Sequence, residues 1–251
     1  QRTQSPNVPS LLRTRGKTNY NNPITLMDTS IEIPDTVPVM TLAETVLFPK
    51  AMLPLYIFED RYKKMVSDIL KGTRIFAVTG LERDRAEGEF EPFYETGSVG
   101  LVRACHENED GTSNLILQGL TRVRIKKTLY EDPYRVVRIK VLQSSSEGES
   151  AQLINLRERL TGAIQLSQNL GSPIPDHVME FLEKIEEPET FLDISAFTLC
   201  KNVNEKQQLL ETLDTCERFK LFIELMHIEN DRLRLLSKLK GNLSDEDIEL
   251  N

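Results

Sequence analysis

Prolines at 38, 49 and 54 break three short apolar runs, Val37 to Leu42, Leu47-Phe48-Pro49 and Pro54-Leu55-Tyr56-Ile57-Phe58. Proline fixes φ and has no N–H for a ladder, so β-branched runs that contain it are expected as edge strands joined by rigid turns. Val37 to Leu42 and Pro54 to Phe58 read as the first two strands. From Glu59 the period changes: Tyr62, Met65, Val66, Ile69 and Leu70 recur at helical spacing until Gly72. Arg74 to Leu81 is an apolar run expected as a buried strand, and the charge-dense residues 82–95 as a solvated loop. Val99 to His106, Leu115 to Leu129 and Tyr134 to Leu142 alternate with period two, and Glu109-Asp110-Gly111 supplies a hairpin turn between the first pair. Short strands, proline turns and one helix imply a compact, partly closed β barrel.

Gln143 to Ser150 is a Ser- and Glu-rich linker, after which the apolar period becomes 3.6. Leu153, Leu156, Leu160, Ala163 and Ile164 form one helix face that Gly171 closes; Pro175 opens a short helix with Val178, Phe181, Leu182 and Ile185, and Phe191 to Leu199 is another. Asn204 with Gln207, and Asp214 with Glu217, have capping-box spacing. The last helix carries Phe219, Phe222, Ile223, Met226, Leu233 and Leu236 towards Gly241. The expected fold is therefore α+β, with a disordered leader (1–36), a β barrel with one helix (37–142), a linker (143–150), a helical subdomain (151–240) and an acidic tail (241–251). Residues 1–26 hold Arg2, Arg13, Arg15 and Lys17 and no acid, which fits either an organelle transit peptide or an extension upstream of Met27.

Several motifs in order carry a resemblance: the Phe48-Pro49 turn followed by Pro54-Leu55-Tyr56-Ile57-Phe58-Glu59-Asp60-Arg61-Tyr62, then Tyr94 to Gly100, Gln118 to Arg124, Asp132-Pro133-Tyr134, and Glu205 to Asp214. From Val37 to about Lys240 the chain resembles the Lon N-terminal domain, the substrate-recognition module of an ATP-dependent protease, in stand-alone form. The resemblance implies a PUA-like barrel with a helical extension and a role in recognising unfolded or damaged proteins, or as an adaptor in proteolysis. Lon proteases continue into an ATPase with a Walker loop and a Ser-Lys peptidase, neither of which occurs in these 251 residues. Arg15-Gly16-Lys17-Thr18 ends like a phosphate loop, but Leu11 stands where the loop needs glycine. The expectation is a binding protein with no enzymatic activity and no cofactor.

Three widely spaced cysteines, Cys105, Cys200 and Cys216, argue against a disulfide framework and against zinc, and for a reducing compartment. No apolar run approaches the roughly 20 residues that span a bilayer, so a cytoplasmic protein without a membrane partner is expected, or an organellar one if the leader is a transit peptide. Cys105 and His106 are neighbours on a strand and point to opposite faces, so they cannot form a dyad. His177 and His227 fall on separate helices and read as surface residues, while Glu59 and Arg61 read as a helix opening and an ion-pair partner.

Two surfaces remain as candidate sites. Leu47, Phe48, Met52, Leu55, Tyr56 and Phe58, with Leu53, are more than one strand face can bury; either all are core or some line a groove for extended polypeptide, a protease or a chaperone, since methionine and aromatics suit promiscuous contacts. Arg122, Arg124 and Lys126 alternate with apolar residues on one strand, as do Arg138 and Lys140 on another, and pairing of the two would put five cations on one face, the alternative being an RNA-binding sheet. Residues 1–146 carry 20 basic and 18 acidic side chains, leaving 11 and 21 for the remainder, so nucleic acid would be repelled by the second part and could meet only the first. The acidic helical part leaves room for a homo-oligomer.

Overall fold

The computed structural model describes residues 31–82, 92–145 and 150–242, with side chains to 239. The leader to residue 30, the charged loop over 83–91, the linker over 146–149 and the tail from 243 lie outside the described residues. Contacts divide the chain into Gln1–Glu32 and Ile33–Asn251, and every element below belongs to the second unit.

Six strands come first: β1 (Thr36–Leu42), β2 (Met52–Ile57), β3 (Ile75–Gly80), β4 (Thr96–Glu107), β5 (Ser113–Tyr130) and β6 (Val136–Val141). Helix α1 (Asp60–Leu70) follows β2, and α2 (Ser150–Asn169), α3 (Asp176–Glu183), α4 (Pro188–Leu199), α5 (Val203–Glu211) and α6 (Thr215–Asn242) complete an α+β architecture. The sheet order is β2-β5-β4-β3-β1-β6, and β6 also pairs β5. The pairings thus return on themselves through β5, β4, β3, β1 and β6. All are antiparallel except β1 with β3.

This ring surrounds a small core of its own, with Val37, Val39, Ile75, Ala77, Val99, Val123, Ile125, Val137 and Ile139 drawn from all five strands. The period of two explains why: Val123 and Ile125 of β5 and Val137 and Ile139 of β6 turn inward, while Arg124 and Lys126, and Arg138 and Lys140, between and beside them turn out. A second, larger core joins the outside of the sheet to the helices, and Phe48, Phe76 and Leu117 share it with Leu160, Ile164, Leu192, Phe219 and Phe222.

β1 is not an edge strand, contrary to the expectation from Pro38. It lies between β3 and β6, and Pro38 is tolerated because pairing with β3 begins only at Val39. Pro54 does lie on an edge, since among the described residues β2 pairs with β5 alone. The turn between β1 and β2 is locked by a bulge: Lys50, at φ 65°, donates to the Gly119 carbonyl at 2.9 Å, and Gly119 donates to the Ala51 carbonyl at 2.8 Å. Glycine is required at 119 because a Cβ there would lie 2.0 Å from the Phe48 carbonyl oxygen.

In the helical part, α5 is capped by Asn202 rather than Asn204. The Asn202 side chain accepts from the amides of Asn204 and Glu205, so the helix starts two residues earlier than the capping-box reading placed it. Asp214 opens α6 as expected, accepting from the Glu217 amide at 2.8 Å. Helices α2 and α6 are held by buried Asn230, which accepts from Ser167 Oγ at 2.6 Å and donates to the Ala163 carbonyl at 3.0 Å. α6 is 28 residues long, so it spans about 42 Å, and beyond Asn230 it has no buried residue as far as Leu239.

Candidate functional site

The first candidate surface separates into two populations. Leu47 and Phe48 are in the core, at 1% and 0% exposure, because the bulged turn folds them under the sheet. Leu53 and Ile57 are also buried, and Leu55 is half-buried against the same core. Met52, Tyr56 and Phe58 are 47%, 55% and 61% exposed. The alternation follows from β2 lying on β5: its odd residues face the core and its even residues face solvent. Tyr56 and Phe58 stack on the surface, with ring centroids 6.0 Å apart and 25° between planes. The neighbours across the pair, Gln118 beside Met52, Ile116 beside Pro54 and Asn114 beside Tyr56, bear no charge. Arg103 of β4 reaches the end of this row, its Nε donating to Gln118 Oε1 at 2.6 Å. A second apolar row, Ile228, Leu235 and Leu239, lies exposed along α6.

The second candidate loses its first member. Arg122 is 2% exposed and turns into the interface between the sheet and the helices. Its guanidinium grips Asp193 of α4 with two bonds, 2.8 and 2.6 Å, and its Nε donates to the Leu210 carbonyl at 3.0 Å. Arg218 of α6, with no exposed surface, approaches from the other side. It donates to Asp193 at 2.8 Å, Glu189 at 3.1 Å, Ser144 Oγ at 3.0 Å and the carbonyls of Thr212 and Leu213. Two guanidiniums and two carboxylates balance, which is the condition for burying any of them. Burial works to raise the Glu189 carboxyl, but the Ser144 hydrogen bond and the two arginines outweigh it and hold the group below its ordinary range. Beside this cluster lies a cavity of about 280 Å³ lined by Pro49, Lys50, Thr121, Ser144 and Glu189. Residues of the two rival sites even touch, with the Arg122 guanidinium 5.9 Å from the centroid of the Phe48 ring.

Arg124, Lys126, Arg138 and Lys140 are exposed, as is Lys127. Arg124 stands opposite Lys140, and a register shift between Ile125 and Lys127 sets Lys127 opposite Arg138. The Asp193 partner of Arg122, and the Arg218 that shares that carboxylate, were not foreseen, because sequence separations of 71 and 96 carry no local signal; an Asp inside the apolar run Phe191 to Leu199 was the available clue.

The remaining chemistry-bearing side chains do not converge. Cys105 is half-buried, and His106, His177 and His227 are exposed on separate elements. Cys200 is buried near Glu205, and that burial together with the nearby carboxylate pushes its thiol up to about 11. Among the described residues no group of three or more His, Cys, Asp or Glu could hold a metal ion, and no helix is long and apolar enough to cross a membrane.

The pairings of β5, β4, β3, β1 and β6 close on themselves, and one core joins that sheet to a helical layer. The profile of the substrate-binding domain of ATP-dependent protease La (LON) matches residues 36–227, and the chain belongs to that family. It is 27% identical over 218 residues to the Lon protease of Dictyoglomus thermophilum, covering 86% of this chain and 27% of that protein. Lon protease 2 of Myxococcus xanthus is 29% identical over 224 residues, covering 86% and 26%. The chain thus spans about a quarter of the length of these relatives, and the match falls on the substrate-binding domain. Among solved structures, the N-terminal domain of Mycobacterium avium complex Lon protease shares the fold with a TM-score of 0.60 at 15% identity, covering 76% of this chain and 98% of that one. The Lon N-terminal domain protein from Xanthomonas campestris has a TM-score of 0.54 at 18% identity, covering 75% and 97%.

Proposed function

We propose that this chain binds apolar stretches of unfolded or damaged polypeptide, performs no chemistry on them, and serves proteolysis as a recognition module or adaptor in cytoplasmic protein quality control. Membership of the substrate-binding family supports a role in substrate capture. The observation that carries the choice of surface is the exposed, stacked Tyr56–Phe58 pair beside Met52, whose partners across the β2–β5 pair bear no charge. Side chains kept in water at the cost of apolar exposure contribute little to folding, and they offer large contact area to a partner. The site is therefore Met52, Tyr56 and Phe58, with Leu47 and Phe48 supporting it from beneath. The ring of strands is in keeping with a PUA-like barrel.

The test is fluorescence anisotropy with a labelled, permanently unfolded polypeptide. Tyr56→Asp with Phe58→Asp should weaken binding more than about tenfold while circular dichroism stays unchanged. Leu235→Glu with Leu239→Glu on α6 should leave binding intact. Full retention by the β2 variant, or loss only in the α6 variant, refutes the assignment.

A second reading keeps one specific observation. Arg124, Lys126, Arg138 and Lys140 are exposed, with Lys127, on adjacent strands, and form no ion pair among the described residues. An RNA-binding role for that face requires affinity that falls steeply with salt and is lost in Arg124→Glu with Lys140→Glu. RNA binding that is absent, or independent of salt, removes it.

A further inference from the structure

We infer that the open edge of β2 takes up its polypeptide ligand as an added strand, by main-chain hydrogen bonds at Met52 and Tyr56 interrupted at Pro54. This rests on the reading of β2 as the binding surface and specifies how the ligand is held. The bulge sets the phase. Gly119 bonds to Lys50 and Ala51, so in the antiparallel ladder that follows, Leu53 opposite Leu117, Leu55 opposite Leu115 and Ile57 opposite Ser113 exchange hydrogen bonds with β5. The intervening residues Met52, Pro54 and Tyr56 direct their main-chain groups to the other side, where β2 has no partner strand among the described residues. Among the described residues, nothing bonds to the amide or carbonyl groups there.

Those same three residues point their side chains into solvent, so one short segment offers both a main-chain template and an apolar face. An antiparallel ligand strand places residues k, k+2 and k+4 opposite Tyr56, Pro54 and Met52. Residues directly opposite lie on the same face, so these three side chains join the apolar surface. Their N–H groups can donate to the carbonyls of Tyr56, Pro54 and Met52, but only the Tyr56 and Met52 amides can donate in return. The ligand class is consequently an extended, uncharged segment with apolar residues at alternate positions, a pattern that a soluble folded protein keeps hidden. Pro54, by withholding a donor at the middle of the edge, limits affinity and discourages two copies from pairing edge to edge.

The probe is a capped seven-residue peptide with valine at its second, fourth and sixth positions and threonine between, titrated against the full chain. The parent peptide should bind, and Tyr56→Asp with Phe58→Asp should abolish it. N-methylation of the three valine amides, one at a time, should weaken binding about three- to tenfold each, whereas N-methylation of the threonines between them should change it less than about twofold. Pro54→Val should tighten binding by a similar factor, since it restores the missing donor. In hydrogen exchange, the Met52 and Tyr56 amides should gain protection when the peptide is bound. If the aspartate variants abolish binding but the N-methyl series is flat and Pro54→Val has no effect, the surface stands and strand addition is refuted. If the parent peptide binds equally to the aspartate variants, or does not bind at all, both the strand addition and the surface assignment fail. Dimerisation of the unliganded protein that Tyr56→Asp disrupts would also overturn the inference, since the edge would then be occupied by a second copy.

Discussion

The face of β2 and the junction of β5 with α4 and α6 invert the usual partition in opposite directions. At β2, large apolar rings stand in water; at the junction, two guanidiniums and two carboxylates sit where aliphatic side chains would be expected. The difference separates two uses of sequence. The junction charges are matched and nearly all their donors are used, so they orient the helical layer on the sheet. Tyr56 and Phe58 are more than half exposed among the described residues, so on the proposed reading their area serves binding rather than folding.

The sharpest way to break that comparison is Asp193→Ala. It leaves Arg122 and Arg218 buried with one shared carboxylate, Glu189, and should cost about 3–5 kcal/mol in urea unfolding. Asp193→Asn keeps the shape, removes the charge, and should cost less. A loss under about 1 kcal/mol for the alanine variant would mean that water reaches the junction and that the two regions differ less than their burial implies.

A buried group that stays neutral should behave differently, and Cys200 provides that contrast. Its thiol is held neutral by burial and by Glu205, raised from 9.0 to about 11. Alkylation at pH 8.5 should therefore be about a hundredfold slower in the folded than in the unfolded protein, because the thiolate is the reacting form. Mass-spectrometric rates that are equal in both states would contradict the neutral burial.

Weakening at the β2 face should appear in binding alone. Tyr56→Asp with Phe58→Asp should change unfolding free energy by no more than about 0.5 kcal/mol per site, while ligand affinity drops more than about tenfold. A matching loss of stability would make these rings part of the core after all.

The smallest effect concerns acid. Glu189 has its folded value below its ordinary 4.5, so its contribution to stability is complete above 4.5 and is lost as pH falls through the lowered value. Glu189→Gln should flatten that part of the stability profile, measured by thermal melts between about pH 5 and pH 3, and a superimposable profile would show that Glu189 is not coupled to the arginines.

Much of this was legible in the chain. Alternation of Val and Ile with Arg and Lys in β5 and β6 marks which residues fill the ring, and Gly171, with φ at 87°, ends α2 because only glycine takes that backbone readily. Asn202 with Glu205 and Asn204 with Gln207 have the same box spacing, and only the backbone geometry chooses Asn202 as the cap. Period two and period 3.6 are local properties, fixed by chirality and side-chain direction, so the elements and the inward or outward sense of each residue within an element can be read from residues close in sequence. Whether an outward side of a strand meets solvent or another layer is not local. Arg122 and Arg124 lie two residues apart on the same strand, yet one is covered by α4 and α6 and the other is bare. Phe48 and Phe58 belong to the same apolar opening, yet the bulge at Lys50 and Ala51 folds the first beneath the sheet and leaves the second in water. Burial is decided by contacts between residues 70 to 110 positions apart, and only the assembled chain brings them together.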